Sequence, residues 1–374
     1  MLSRRALVVA ATGVLPLILA LLFIPTAVYG NGVGSIYVTD ETSGNIYIVD
    51  SVTQTTVAVV ALPGISHGLV FSPDAKSVYV ANTGGRSLAV IDTVSEAVAE
   101  SIAAGSAPVH VALSPNRRHV YVVDGEAAQL AQVDLETHQV AQTMALGGRP
   151  HGVAISANGR YVYVANEGTS VVHVVDTISW KQASSFPVPG SRPSHVALSP
   201  GQDKLYVAVT GSDRVAVLNT TTGAIEAEVP VAARPIGLVI SPNGRNVYIA
   251  HMEQAILSVV DTSTRAVTRL PLTAPCSSLA ISADGAHIYL ASSDAKAVLV
   301  FDAPTEQVVE TIRVPGKPSQ IAISPIQAPS QPQSGPPLTI PAKLPRTGGV
   351  PCAARVVASL VVLQAGRWIR ARGC

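Results

Sequence analysis

The apolar positions of this chain fall into short aliphatic runs, separated by turn-forming residues from about residue 35 to residue 324. Runs of this length, rich in Val, Ile and Tyr and bounded by Ser, Pro, Gly, Asn and Asp, are strand signals. They follow one order. A short run with a small central residue comes first, as in Val153-Ala154-Ile155 or Val196-Ala197-Leu198. A turn such as Ser241-Pro242-Asn243-Gly244 follows, in which Pro presets φ, Asn tolerates the bend and Gly supplies positive φ. The second run carries a Tyr, as in Val162-Tyr163-Val164-Ala165, and the third ends on an acidic residue, as in Leu88-Ala89-Val90-Ile91-Asp92. The fourth is more polar, for example Ala224 to Val231, and reads as outermost. Apolar inner runs with a polar fourth run describe a sheet packed on both faces and wet at one edge.

The order repeats seven times. A Ser followed by Pro or Ala recurs as Ser72, Ser114, Ser156, Ser199, Ser241, Ser282 and Ser324, at steps of 42, 42, 43, 42, 41 and 42. Tyr37, Tyr79, Tyr121, Tyr163, Tyr206, Tyr248 and Tyr289 keep the same phase, as do Asp50, Asp92, Asp134, Asp176, Asn219, Asp261 and Asp302. A strand-rich period near forty means a β-propeller. The pattern predicts an all-β, seven-bladed β-propeller with four antiparallel strands per blade. The first run, Ile36-Tyr37-Val38, is a second strand with no first strand before it, and the last, Ile321-Ala322-Ile323, is a first strand with no second after it. The C-terminal strand is therefore expected to join the N-terminal blade and close the ring. The Tyr set is expected to pack between blades with its hydroxyls hydrogen-bonded. The Asp set is expected to cap the turns between third and fourth strands rather than to bind calcium.

The stretches Val78-Tyr79-Val80-Ala81-Asn82, Val162-Tyr163-Val164-Ala165-Asn166 and Val90-Ile91-Asp92-Thr93 resemble the YVTN β-propeller family. The resemblance covers the whole repeat region and implies the fold. It implies no single activity, because the family includes archaeal surface-layer proteins and exported bacterial proteins of unassigned role.

Charge and the two ends add location. The formal net charge is +1, but residues 31–343 hold 18 Lys+Arg and 24 Asp+Glu, a balance of −6 that gives no support to nucleic-acid binding. Residues 1–30 read as a signal peptide or signal anchor: Arg4 and Arg5 precede an apolar run from Ala6 to Ile24. The propeller is assigned to 31–325, and residues 326–343, rich in Pro, Gln and Ser, read as a spacer. Extended at about 3.1 Å per residue, it reaches roughly 55 Å. Residues 344–374 begin with Leu344-Pro345-Arg346-Thr347-Gly348, continue through an apolar stretch that Arg355 interrupts, and end among Arg367, Arg370 and Arg372. This resembles an LPxTG cell-wall sorting signal. The resemblance implies cleavage by a sortase between Thr347 and Gly348, linkage to peptidoglycan, membrane contact during export, and a place on the cell surface. Cys276 is the one Cys in the repeats, so no disulfide framework is expected there.

Candidate chemistry gathers at the start of the innermost strand. His67, His110, His151 and His195 occupy it in four consecutive repeats, and such positions ring one mouth of the central channel. His67 and His151 lie five residues before their Ser, while His110 and His195 lie four before. Strand alternation then predicts that one pair faces the channel and the other packs against a blade. Arg149, Arg192, Arg234 and Lys317, each followed by Pro, add a basic arc suited to an anionic partner. His251 is expected on the same face. His67, His151 and Cys276 are weak metal candidates. The reading favours no metal and no cofactor. No nucleophile elbow, zinc-protease motif or phosphate loop is present. The preferred expectation is an exported binding scaffold for an extracellular protein or glycan. The alternative is an extracytoplasmic propeller enzyme, lactonase-like or metal/redox, with His67, His151 and Arg192 as first suspects.

Overall fold

The computed structural model describes residues 34–325. These form 28 strands in seven antiparallel sheets of four, the expected seven-bladed propeller. Blades 2 to 7 are consecutive and cover residues 66–103, 108–145, 150–187, 193–230, 235–271 and 278–313. Blade 1 is composite: its second, third and outer strands lie within 35–60, and Pro318–Ile323 is its inner strand. The closing register pairs Ile36 with Ile323, Tyr37 with Ala322 and Val38 with Ile321. Both ends of the described chain thus share one sheet, and the ring has no open edge between first and last blades.

The core lies between blades. One buried cluster joins Tyr37, Ile46 and Ile48 of blade 1 to Val78, Val80 and Ile91 of blade 2, and the same pattern recurs around the ring. The repeat Tyr sits in these seams. Tyr37 is fully buried and meets Phe71 of the next blade edge-on, 5.1 Å between centroids. Tyr248 accepts from Asn246 Nδ2 at 3.5 Å, whereas Tyr37 is held by packing.

Two local devices set the strand phase. Each repeat Asp or Asn caps its own turn: Asp92 Oδ1 accepts from the amides of Val94 and Ser95 at 3.1 and 2.7 Å, and Asn219 Oδ1 does the same for Thr221 and Thr222. The repeat Ser pins the turn between inner and second strands. Ser156 Oγ donates to Asn158 Oδ1 at 2.7 Å and accepts from the Tyr161 amide at 2.9 Å. Both are local side-chain-to-backbone bonds that favour turns over ladder extension.

Antiparallel alternation divides the loops between two faces. One face carries the inner-to-second and third-to-outer turns. The other carries the second-to-third loops and the blade-to-blade connections, and the four histidines and the basic arc lie there.

Candidate functional site

Each of His67, His110, His151 and His195 stands near the start of an inner strand, and the structure brings the four together. The His110 ring lies 4.8 Å from that of His151 and 5.3 Å from that of His195, centroid to centroid. His67 is close enough to His110 and His151 for their charges to act on one another. The expected parting of the two pairs onto opposite faces does not occur. Each of these inner strands carries a β-bulge at its His, between Ser66 and Leu69, Pro108 and His110, Pro150 and Val153, and Pro193 and His195. A bulge sets two residues against one and re-aims the side chain, so simple alternation fails there. Glycine completes the convergence. A Cβ at Gly152 would overlap Ser194 O and lie 2.8 Å from His195 Cα, and one at Gly68 would lie 2.9 Å from His110 Cα. The neighbouring strand approaches because those positions lack a side chain.

All four rings are held neutral. Burial lowers the His67 pKa, with a smaller push from His151. Burial and three neighbouring imidazoles hold His110 well below its ordinary value. Burial, then His151, lowers His195 to about 4. His151 is also lowered by burial, although Glu167 opposes the shift. His151 Nδ1 lies 3.1 Å from the Ser194 carbonyl. A carbonyl can only accept, so Nδ1 carries the proton and Nε2 keeps its lone pair.

The basic arc is present but largely answered by carboxylates that the repeat pattern does not flag. Glu167 lies between Arg149 and Arg192, at 3.9 and 3.4 Å, with its side chain only 7% exposed. Arg234 pairs with Glu253. Lys317 is exposed, and its carbonyl accepts from the Glu41 amide at 3.0 Å. Glu41 in turn accepts from Ser293 Oγ at 2.7 Å and influences His67. Glu41 and Glu167 each directly follow the last residue of a second strand, Asp40 and Asn166. That shared register is the one signal by which the sequence could have placed them at the mouth.

His251 ends the second strand of blade 6 and so lies on this face as expected. It is fully buried, with Nδ1 against Ala233 O at 3.1 Å and Nε2 against Ser258 Oγ at 2.8 Å, so it braces blade 6. His173, which the repeat markers did not single out, braces blade 4 in the same way through Asn166 and Gln182. Cys276 does not join the histidines. It is buried in the seam between blades 6 and 7, its thiol reaches Ala274 O at 3.5 Å, and burial pushes it up to about 12. Among the described residues, no three His, Cys, Asp or Glu side chains are placed to hold a metal ion. His67, His151 and Cys276 therefore form no ligand set. The sorting motif Leu344 to Gly348 and the N-terminal segment lie outside the described residues.

The mouth can offer an anion two guanidinium forks, and it can offer an oxygen-rich ligand neutral imidazoles that accept or donate hydrogen bonds. With Nε2 of His151 unprotonated, it can also accept a proton.

Comparison with known proteins supports the fold. Residues 91–185, about a quarter of the chain, match the model of a family described as lactonase, 7-bladed beta-propeller. Similar solved structures include hydrazine synthase of Kuenenia stuttgartiensis, at 19% identity and TM-score 0.65, covering 70% of this chain and 90% of that one. A functionally unknown protein from Desulfotomaculum acetoxidans DSM 771 has 17% identity and TM-score 0.68, with 78% and 98% covered. A putative 6-phosphogluconolactonase from Bacteroides fragilis NCTC 9343 has 17% identity and TM-score 0.62, with 77% and 97% covered. No curated protein matches. Likeness at these identities establishes the propeller and leaves function to the site.

Proposed function

We propose that this chain is an exported, surface-displayed propeller that binds an anionic group of a protein or glycan at the His-lined mouth. The observation that carries the proposal is the stoichiometry at Glu167. Two guanidinium groups, Arg149 and Arg192, share one carboxylate, which leaves positive charge at a rim backed by neutral imidazoles. A guanidinium fork suits a carboxylate geometrically, and an excess cation steers anions toward the channel. The reading of the two ends supports display: a leader or anchor at 1–30, a spacer at 326–343 and a sorting motif at 344–348.

Titration with glucuronate tests the site. Saturable binding is expected, weakening as salt rises, and Arg149→Gln with Arg192→Gln should abolish it without changing thermal unfolding. Gln is preferred to Glu because charge reversal would gather three carboxylates around position 167. Equal affinity in the double variant would sink the proposal.

One observation favours a second reading. The segment that matches the lactonase family model contains His110, Arg149, His151 and Glu167. In that reading the mouth opens a lactone. His151 Nε2 takes a proton from water, the hydroxyl oxygen bonds to the carbonyl carbon, the ring C–O bond breaks, and the leaving alkoxide recovers the proton. Arg149 and Arg192 hold the developing negative charge. Opening of δ-gluconolactone no faster than in buffer, or unchanged in His151→Gln, rejects it.

A further inference from the structure

The face opposite the histidines carries clefts at blade boundaries. Their volumes are about 330 Å³ between blades 3 and 4, about 460 Å³ between blades 4 and 5, and about 390 Å³ between blades 6 and 7. A repeated turn position borders them. The turn from third to outer strand holds one residue at left-handed φ in every blade: Gln54, Glu96, His138, Trp180, Gly223, Arg265 and Glu306. In blades 3 and 4 this residue leans on the outer strand of the preceding blade. His138 pairs with Glu100. Trp180 donates from Nε1 to Thr143 O at 3.1 Å and stacks over Tyr121, 6.4 Å between centroids at 18°.

Blade 5 alone has Gly at this position. A Cβ on Gly223 would overlap the Phe186 ring of blade 4. The strap is missing there, and Tyr163, the counterpart of Tyr121, has no ring stacked above it. Phe186 and Tyr163 lie beneath the cleft, both buried, their centroids 6.5 Å apart. Asn158, Tyr161, Ser184, Gln202 and Thr221 form its walls, and no charged side chain lines it. The amides are fixed in advance. Gln202 Oε1 accepts from the Ala157 amide at 2.9 Å while its Nε2 donates to Ser199 O at 3.1 Å, which bridges the two blades. Asn158 Oδ1 is committed to Ser156 Oγ and the Arg160 amide, which leaves Nδ2 as a donor.

We infer that the cleft between blades 4 and 5 binds a neutral saccharide. A sugar ring presents hydroxyls at its edge and C–H groups on its face. The carboxamides and hydroxyls meet the first demand and the partly exposed Tyr161 ring meets the second, and the volume is within the ~300–1,000 Å³ usual for small-molecule sites. The uncharged lining disfavours an anion, and the polar walls disfavour a purely apolar ligand.

Saturation-transfer NMR on the full-length protein, with N,N′-diacetylchitobiose and cellobiose as probes, tests this. Saturation of at least one disaccharide is expected. Ser184→Trp, on the exposed outer strand, would fill the cleft and should weaken binding at least about tenfold, or about 1.4 kcal/mol. Thr221→Arg, at an exposed turn, serves the same purpose if the first variant folds poorly. Arg149→Gln with Arg192→Gln should leave the signal intact, which separates this site from the mouth. No saturation of either disaccharide, or equal saturation in a well-folded cleft-filling variant, overturns the inference.

Discussion

Acid should loosen the ring through its histidine cluster before it affects any carboxylate. The His195 pKa falls from an ordinary 6.5 to about 4 on folding because burial and His151 disfavour the charged ring. Between those values the unfolded chain binds the proton and the folded chain does not. Stability is therefore full above the unfolded value and is lost as pH falls through the window. A difference of this size, at 1.36 kcal/mol per unit, removes about 2–3 kcal/mol by pH about 4.5, the lower figure allowing for solvent in the channel. His110 and His67 shift the same way and add to the loss. His151 adds less, since Glu167 would pair with its protonated ring, while Arg149 and Arg192 oppose that charge. The capping carboxylates behave oppositely. Hydrogen bonds hold Asp40 and Asp261 at about 2, so their contribution is present at mid-range pH and fades only below the ordinary value of 3.8. Urea or thermal midpoints followed between pH about 7.5 and 4.5 separate the two windows. His195→Gln should flatten the slope in the upper one. An unchanged midpoint across it, or a slope unaffected by His195→Gln, would refute the reasoning.

Other expectations are simpler to read. Asn82 Nδ2 is buried without a partner, so Asn82→Asp forfeits no donor hydrogen bond and should cost less than the same change at Asn166. The same change at Asn166 should cost about 1–3 kcal/mol, since Nδ2 there donates to Gly147 O at 2.7 Å; equal effects at the two sites in chemical denaturation would contradict this. Gly152→Ala should destabilise by about 1–3 kcal/mol and raise the exposure of the His195 strand to hydrogen exchange, and wild-type protection would count against the close approach. Thr347→Ala should move the protein from the wall fraction to the membrane fraction or medium, and an unchanged wall fraction rejects the sorting assignment.

The parts of this structure that were legible in the sequence are those with local causes repeated in phase. The Ser turn, the inter-blade Tyr and the Asp cap each depend on a few neighbouring residues, so seven copies state them seven times. Ring closure was legible from phase alone, because a chain that begins on a second strand and ends on a first has one way to complete its sheets. The site was legible only in part. His67, His110, His151 and His195 could be placed at one mouth, but their common orientation arises from bulges, and a bulge is a tertiary adjustment that alternation cannot forecast. The carboxylate between Arg149 and Arg192 was also missed, because Glu167 lies a strand pair away from the first and in a different blade from the second.

Gly223 marks a different limit. One Gly among many in a turn-rich chain is unremarked until the other six blades are seen to place a side chain at that turn. It lies beside a cleft with an uncharged lining, whose counterpart between blades 3 and 4 is strapped by Trp180. The opposite face gathers the four imidazoles and the basic rim. The two faces should therefore respond to different variables. Salt and acid act on the mouth through Arg149, Arg192 and the imidazoles, while binding in the cleft, built from amides, hydroxyls and rings, should stay level across the same range until the ring itself loosens. A ligand whose affinity tracks ionic strength belongs to the first face, and one whose affinity ignores it belongs to the second.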